Sequence, residues 1–498
     1  MNANLYALFE SHFPENREQP VLLIPGGKVV SYGDLAADSA RIAHALVAAG
    51  CTPGDRVAVQ TDKHAPVLAL YLACLRAGLV YLPLNTAYRK SELGYFFGDA
   101  QPKVIVTRPD AREEIAALAP DAALFTLDAD GGTLLAAAND LPAEFATIAR
   151  AADDLAALLY TSGTTGRSKG AMLTHRNLAS NALTLVSQWG FTKSDVLLHA
   201  LPVYHVHGLF VAVHCVLLSG SRMLWLAKFD AHEATALLPK ATTMMGVPTF
   251  YTRLLAEPTF DRAKCADIRL FVSGSAPLLA ETFDEFRAKS GHAILERYGM
   301  TETGMNTSNP LVGTRIPGTV GPPLPGVSVR IVDDDGAPVS AGTIGQIEVK
   351  GPNVFPGYWK MPERTREEFT DDGYFRTGDL GQITAEGYVQ IVGRAKDMII
   401  SGGLNIYPKE IEERIDALPG VGESAVIGVP DPDFGETVVA VVVPKPGQAL
   451  DAAAMIATLK ADIAHFKVPK RIHVVAELPR NAMGKVQKNV LRARFGSP

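Results

Sequence analysis

The 498-residue sequence predicts an α/β architecture followed by a smaller α+β domain, on three observations. Over roughly the first 300 residues, short apolar runs alternate with helical patterns. From about Pro317 to Arg394, strands follow one another with turns and no helix between them. The last hundred residues or so read strand, helix, strand, strand, helix, strand.

Val21–Pro25, Arg56–Gln60, Val104–Thr107, Met223–Leu226, Met244–Val247 and Arg269–Val272 are apolar runs closed by Gly, Pro or polar residues. Helical spacing lies between them, as in Leu279, Phe283 and Phe286 before Gly291, so parallel sheets faced by helices are expected. Val327–Val332, an Asp334-Asp335-Gly336 turn, Gln346–Lys350 and Tyr388–Val392 predict a small antiparallel barrel or sheet. Beyond it, Met398–Ile400, Ser424–Val429, Val438–Val443 and Ile472–Val475 predict strands. Pro408–Leu418, with proline in its first turn, and Asp451–Phe466 predict helices, which together make a compact α+β domain.

Composition bounds the function. Hydrophobic residues are 47% and charged residues 20%, the balance of a chain with a large core, and about three domains fit its length. The net charge of −6 supplies no basic field to recruit nucleic acid or anionic lipid. Cys51, Cys74, Cys215 and Cys265 are isolated, which excludes a disulfide or zinc framework and predicts reduced thiols. The N-terminus lacks a basic stretch followed by an apolar run. The apolar stretch Gly208–Leu218 is shorter than the ~20 residues a membrane span needs. A cytoplasmic protein without membrane or nucleic-acid partners is expected.

The sharpest local signal is Thr161-Ser162-Gly163-Thr164-Thr165-Gly166-Arg167-Ser168-Lys169-Gly170, which follows the apolar run Leu155–Tyr160. Its glycines let backbone N–H groups turn toward one point, its hydroxyls add donors, and Lys169 adds charge, so it suits a triphosphate. The spacing is not that of a Walker A loop.

Five further motifs follow in order: Tyr298-Gly-Met-Thr-Glu302, Tyr374-Phe-Arg-Thr-Gly-Asp379, Gly393-Arg394-Ala-Lys396-Asp397, Ser401-Gly402-Gly403 and Pro479-Arg-Asn-Ala-Met-Gly-Lys485. Alone, Asp379 reads as a turn residue and Lys485 as a surface lysine. Together with the phosphate loop, the set resembles the adenylate-forming superfamily of acyl-CoA synthetases, luciferases and peptide-synthetase adenylation domains. That resemblance implies a large N-terminal region of two α/β subdomains plus a small β-barrel, then a mobile α+β C-terminal domain. It places the catalytic region over residues 1–393, with a β-rich part at about 317–393, and the mobile domain over 394–498, hinged near Lys396.

The resemblance also implies roles, and each has a physical reason. A carboxylate must attack the α-phosphorus of ATP, and repulsion between unit charges about 4 Å apart costs on the order of 4 kcal/mol at an effective dielectric near 20. Lys485 is the implied catalytic lysine, bridging the substrate carboxylate and the α-phosphate. Glu302 and Thr161 are implied for Mg²⁺, and Thr301 for the α-phosphate. Asp379 and Arg394 suit the ribose hydroxyls. Ser275-Ala276-Pro277 and Arg297-Tyr298-Gly299-Met300 match the adenine- and nucleotide-binding segments. For the second half-reaction with coenzyme A, His207 matches a residue near the acyl and thiol tunnel. Ser401-Gly402-Gly403 matches the pantetheine loop, where missing side chains let a thin chain pass. His205 and His207 have no Cys or carboxylate cluster to make them a metal pair.

For the acid, Gly246-Val-Pro-Thr-Phe-Tyr-Thr-Arg253 places an arginine where relatives bind the acyl group, and the set is similar to malonyl-CoA synthetases. The resemblance gives Arg253 and Ser275 the distal carboxylate, with Arg297 as a weaker candidate for that role. Val206 and Met305 flank the expected acyl site, where one methyl is worth only about 1–3 kcal/mol, so methylmalonate is an expected second substrate. The implied reaction is ATP, malonate and CoA to malonyl-CoA, AMP and pyrophosphate through malonyl-AMP. The alternatives are a short- or medium-chain monocarboxylate ligase and a nucleotide-binding pseudoenzyme; intact Glu302, Asp379, Arg394 and Lys485 speak against the second. Acetylation of Lys485 by an acetyltransferase, reversed by a deacetylase, would remove its charge and silence the first step.

Overall fold

The computed structural model describes residues 2–161, 168–401, 404–431, 434–463, 465–481 and 484–496. Its contacts divide it into two compact units. One comprises Met1–Pro317, Gly321–Ser328 and Val349–Phe375; the other comprises Gly318–Val320, Val329–Glu348 and Arg376–Pro498.

In the first unit the alternating pattern forms two sheets. The six-stranded sheet runs Ala123–Thr126, Val104–Thr107, Arg56–Gln60, Val80–Pro83, Leu155–Thr161 and Lys169–Thr174. Its strands are parallel except for the last pair, which is antiparallel and flanks the phosphate-loop sequence. The eight-stranded sheet is parallel through its middle, with an antiparallel pair at each edge. One of those edge pairs is Leu295–Met300 with Gly304–Ser308.

One continuous core joins the inner faces of both sheets. The helices Tyr32–Ala48, Ala65–Arg76 and His175–Gln188 fill it. Ala65–Arg76 is buried from Val67 to Arg76, so its near-continuous apolar sequence shows no amphipathic stripe. Tyr32–Ala48 starts at a capping box, with the Ser31 hydroxyl accepting from the Asp34 N–H and the Asp34 carboxylate accepting from the Ser31 N–H. Separate apolar clusters cover the outer face of each sheet. The apolar stretch Gly208–Leu218 lies within the π-helical turn His207–Val213 and the helix His214–Ser219, buried throughout. No helix among the described residues is long and apolar enough to cross a membrane.

In the second unit the three predicted strands and an unpredicted one, Phe375–Ile383, form a four-stranded sheet in the order Ser328–Val332, Gly345–Lys350, Phe375–Ile383, Val389–Arg394. The C-terminal part carries a five-stranded sheet: Leu404–Ile406, Ile399–Ser401, Gly435–Pro444 and Val421–Asp431, with Arg471–Val474 parallel to Gly435–Pro444. Pro408–Asp416 and Ala452–Asp462 pack their Ile411, Ile415, Met455 and Leu459 against one apolar cluster of this sheet. The helix Lys488–Phe495 packs through Leu491 into a second cluster.

Several elements were not expected, among them the strands Phe375–Ile383 and Leu404–Ile406 and two helices. The helix Pro362–Glu368 interrupts a segment read as strands only, because it buries no residue and therefore carries no apolar period. Lys488–Phe495 buries only Leu491, for the same reason.

Candidate active site

The tip of the Leu295–Met300/Gly304–Ser308 hairpin is the centre of the first unit's site. Met300 pairs with Gly304, so Thr301, Glu302 and Thr303 form a three-residue loop closed by Gly304 at φ +58°. A Cβ on Gly299 would lie 2.0 Å from the Gly304 carbonyl oxygen, so the close approach of the two strands requires glycine there. Asn181 clamps the second strand: its Nδ2 donates to the Met305 carbonyl at 2.8 Å and its Oδ1 accepts from the Met305 N–H at 3.0 Å. Thr301 and Gly304 then line a cleft with Leu178, Asn181, Val206 and Phe210.

Glu302 is buried, and its Oε1 accepts from the Thr161 hydroxyl at 3.2 Å and the Tyr358 hydroxyl at 3.1 Å. Two oxygen donors on a buried carboxylate offset the cost of removing it from water. The Tyr358 hydroxyl is held protonated by burial and by the neighbouring carboxylates of Glu302 and Glu368. Lys169, opposite Thr161 in the strand pairing, is buried and donates to Glu368 Oε1 at 3.1 Å. Its ammonium also sits 4.2 Å from the Tyr358 ring centroid.

The donor set fits Mg²⁺. Glu302 and Thr161 offer hard oxygens, and no group of three or more His, Cys, Asp or Glu converges among the described residues. An ion held by one or two protein oxygens and completed by substrate phosphates matches how Mg²⁺ is commonly bound.

A second cluster lies where the strand Leu270–Ser273 ends and the π-helical turn begins. His207 opens that turn, and its Nδ1 lies 3.3 Å from the Ser275 hydroxyl. Gly208 follows because a Cβ there would lie 2.0 Å from the Pro202 carbonyl oxygen. Ser275 itself adopts φ +70°, a left-handed backbone rare for a residue with a side chain. Arg297 is 4% exposed, and its guanidinium lies against Gly274, where a Cβ would be 2.3 Å from Cζ. Its Nε and Nη2, and Nε2 of His207, are buried without a hydrogen-bond partner among the described residues. Burial pushes Arg297 down to about 9, and burial together with the Arg297 charge holds His207 well below its ordinary value, hence neutral. The cluster is a desolvated cation beside a neutral imidazole and a hydroxyl, an arrangement built for an anion.

In the second unit, Asp379 and Arg394 stand opposite each other in strand register. Arg394 Nε donates to Asp379 Oδ1 at 2.7 Å, and Thr377 Oγ1 accepts from the Asp379 N–H at 3.1 Å. Lys485 is exposed in a tight turn from Arg480 to Val486. Asn481 Oδ1 accepts from the Lys485 N–H at 3.0 Å, and Gly484 takes φ +74°.

The sequence profile of the AMP-binding enzyme family matches residues 9–359, and that of the AMP-binding enzyme C-terminal domain matches residues 410–485. The chain belongs to the AMP-binding enzyme family. Its structure is similar to that of ATP-bound MatB from Rhodopseudomonas palustris, at TM-score 0.98 and 57% identity over 100% of this chain and 99% of that one. Its sequence is 37% identical to a feruloyl-CoA synthase of Amycolatopsis sp, over 95% of each chain. It is also 37% identical to a mitochondrial malonate–CoA ligase of Mus musculus, over 89% of this chain and 82% of that one.

Within this AMP-binding enzyme, the structure brings together Thr161 with Glu302, His207 with Ser275, and Asp379 with Arg394. Ser162, Gly163, Thr164, Thr165, Gly166, Gly402 and Gly403 lie outside the described residues. Ala276, Tyr298, Gly299 and Met300 are half-buried, Pro277 is exposed, and Val206 and Met305 are buried. Ser401 is buried and pairs with Leu404, while Lys396 is exposed in the short turn Ala395–Asp397.

Arg253 differs from its expected setting. Its helix, Pro248–Ala256, buries Tyr251 and Leu254, which leaves Arg253 on the exposed side. The buried guanidinium with two N–H groups lacking a partner among the described residues is that of Arg297. Sequence reasoning missed Tyr358, Glu368 and the Asn181 clamp. Tyr358 and Glu368 sit in a segment with no phosphate-binding signature, and an asparagine inside a helix gives no local sign of a partner on a distant strand.

Proposed function

We propose that this chain is a malonate–CoA ligase, converting ATP, malonate and CoA to malonyl-CoA, AMP and pyrophosphate through malonyl-AMP. The observation that carries the choice of acid is the buried Arg297 guanidinium, two of whose N–H groups have no partner among the described residues, beside His207 and Ser275. A monocarboxylate would leave that cation desolvated and unpaired, whereas a second carboxylate takes it bidentately. The malonate–CoA ligase of Mus musculus and MatB support the reading by their similarity. Arg253, exposed on its helix, is the second cation for the same carboxylate.

Around that acid, Lys485 offsets the charge of the attacking carboxylate and the α-phosphate, with Thr301 donating to the same phosphate. Glu302 and Thr161 hold Mg²⁺, which when bound neutralises the β- and γ-phosphates. The phosphate loop from Thr161 to Lys169 receives the triphosphate, Asp379 and Arg394 the ribose, and Ser275–Pro277 with Arg297–Met300 the adenine side. Ser401, Gly402 and Gly403 guide pantetheine, and residues 394–498 turn about Lys396 between the two half-reactions. The exposed Lys485 is open to an acetylating enzyme, which mass spectrometry paired with activity tests.

The deciding experiment measures AMP release with CoA over acetate, malonate, methylmalonate, succinate, octanoate and ferulate. Malonate is expected to lead, methylmalonate to follow within about a hundredfold, and acetate and ferulate to fall further behind. Equal turnover of acetate or ferulate would remove the dicarboxylate reading.

A further inference from the structure

One buried residue touches both halves of the phosphate machinery. Tyr358 donates its hydroxyl to Glu302 Oε1 at 3.1 Å, and its ring lies under the Lys169 ammonium at 4.2 Å. The residue is 3% exposed and fixed from several sides. Its N–H donates to Thr365 Oγ1 at 2.9 Å, the flanking Trp359 N–H donates to the Gly170 carbonyl at 2.7 Å, and the Gly357 carbonyl accepts from the Met172 N–H at 3.1 Å. Phe355 packs edge-on against its ring at 4.8 Å. The segment around Tyr358 is thus stitched to Lys169–Thr174, the strand that carries the lysine.

We propose that Tyr358 is a positioning residue that sets the metal carboxylate and the phosphate-loop lysine in one fixed relation. Its hydroxyl and that of Thr161 both donate to Glu302 Oε1, which would leave Oε2 the freer oxygen for Mg²⁺. Its ring gives Lys169 an attractive surface that asks for no proton and no second carboxylate. Lys169 already shares Glu368 with Arg364, whose Nη2 lies 2.6 Å from Glu368 Oε1. When a triphosphate draws the ammonium away, Arg364 keeps Glu368 paired and the Tyr358 ring keeps Lys169 within reach. The inference rests on Glu302 being the Mg²⁺ carboxylate, as proposed above.

Two substitutions separate the two arms. Tyr358→Phe removes the hydroxyl and keeps the ring, so the Mg²⁺ concentration for half-maximal AMP release should rise about tenfold, as for the loss of a group that orients a metal ligand. ATP affinity without metal, read by calorimetry, should stay within about twofold. Tyr358→Leu removes both arms, so the metal-free ATP affinity should also fall, by about fivefold for a lost cation–π contact. Mn²⁺ bound with ATP, read by electron paramagnetic resonance, reports the metal site without turnover and should weaken in both variants.

Wild-type Mn²⁺ and Mg²⁺ behaviour in Tyr358→Phe would overturn the proposal, as would equal metal-free ATP affinity in the Phe and Leu variants. Glu302→Gln serves as the control for the underlying reading. If it abolishes the metal response while Tyr358→Phe leaves it intact, only the role of Tyr358 fails. If Glu302→Gln itself keeps the wild-type metal response, the assignment of the carboxylate fails, and the role of Tyr358 falls with it.

Discussion

Glu302 and Lys485, one in each unit, are held in opposite ways. Glu302 is 5% exposed, at the tip of a hairpin whose strands touch through Gly299, and two hydroxyls fix its Oε1. Lys485 is exposed, and what the turn fixes is its backbone, through Asn481. A buried carboxylate must be satisfied and immobile before substrate arrives, because an unpaired one is costly. An exposed ammonium costs little in the resting protein, so it can be presented by a turn. The difference teaches that substitutions in the first unit should change stability and binding together, whereas those at Lys485 should change chemistry alone.

The largest expected effect tests the exposed side of that contrast. Lys485→Ala should slow adenylate formation on the order of a thousandfold. The melting temperature should hold, since substitutions of exposed side chains usually move stability by under ~0.5 kcal/mol. Thioester formation from synthetic malonyl-AMP should persist. Equal loss of both steps, in a stopped-flow comparison, would break the division of roles.

Next comes the buried cation. Arg297→Met replaces a buried guanidinium, two of whose N–H groups lack a partner among the described residues, with an apolar chain of similar length, so the acid-free protein should melt at a higher temperature. A lower melting temperature would mean that Arg297 has structural partners after all. Arg253→Ala, on an exposed face, should leave stability unchanged and raise the KM for malonate by no more than about tenfold, given solvent screening. Asp379→Asn weakens the pair with Arg394 and should raise the KM for ATP about tenfold while leaving the KM for malonate alone.

The smallest effect is a pH dependence confined to the second unit. Burial raises the Asp416 carboxyl from 3.8 to about 7, with Glu412 and Glu423 adding to the rise. A raised folded pKa stabilises the fold below the unfolded value, and that contribution is lost as pH climbs through about 7. Asp416→Asn should therefore flatten the fall in melting temperature between about pH 4 and pH 8 and be the more stable protein at the upper end. An unchanged pH profile would show that the carboxyl is solvated.

The fold was legible where the sequence carried a period. The parallel strands and the α+β tail follow from alternating apolar runs, and the Asp379–Arg394 pair follows from two motifs that strand register brings face to face. Pro362–Glu368 was not legible because a helix that buries nothing leaves no stripe. The resemblance to relatives places Arg253 in the acyl pocket, yet helical spacing turns it outward while Tyr251 and Leu254 turn in. Arg297 was read mainly as part of a nucleotide motif. Only the packing of its guanidinium on Gly274 reveals a buried charge with two N–H groups unpartnered among the described residues, and one chain cannot announce such a contact in its order of residues.

The central claim is that this buried guanidinium receives the substrate's second carboxylate. The most direct measurement is kcat/KM for malonate against monomethyl malonate, in the wild type and in Arg297→Met. The wild type should prefer malonate by about a hundredfold or more, the cost of leaving a buried charge unpaired, and the variant should lose that preference to within about threefold. A preference for malonate that survives intact in Arg297→Met would contradict the account.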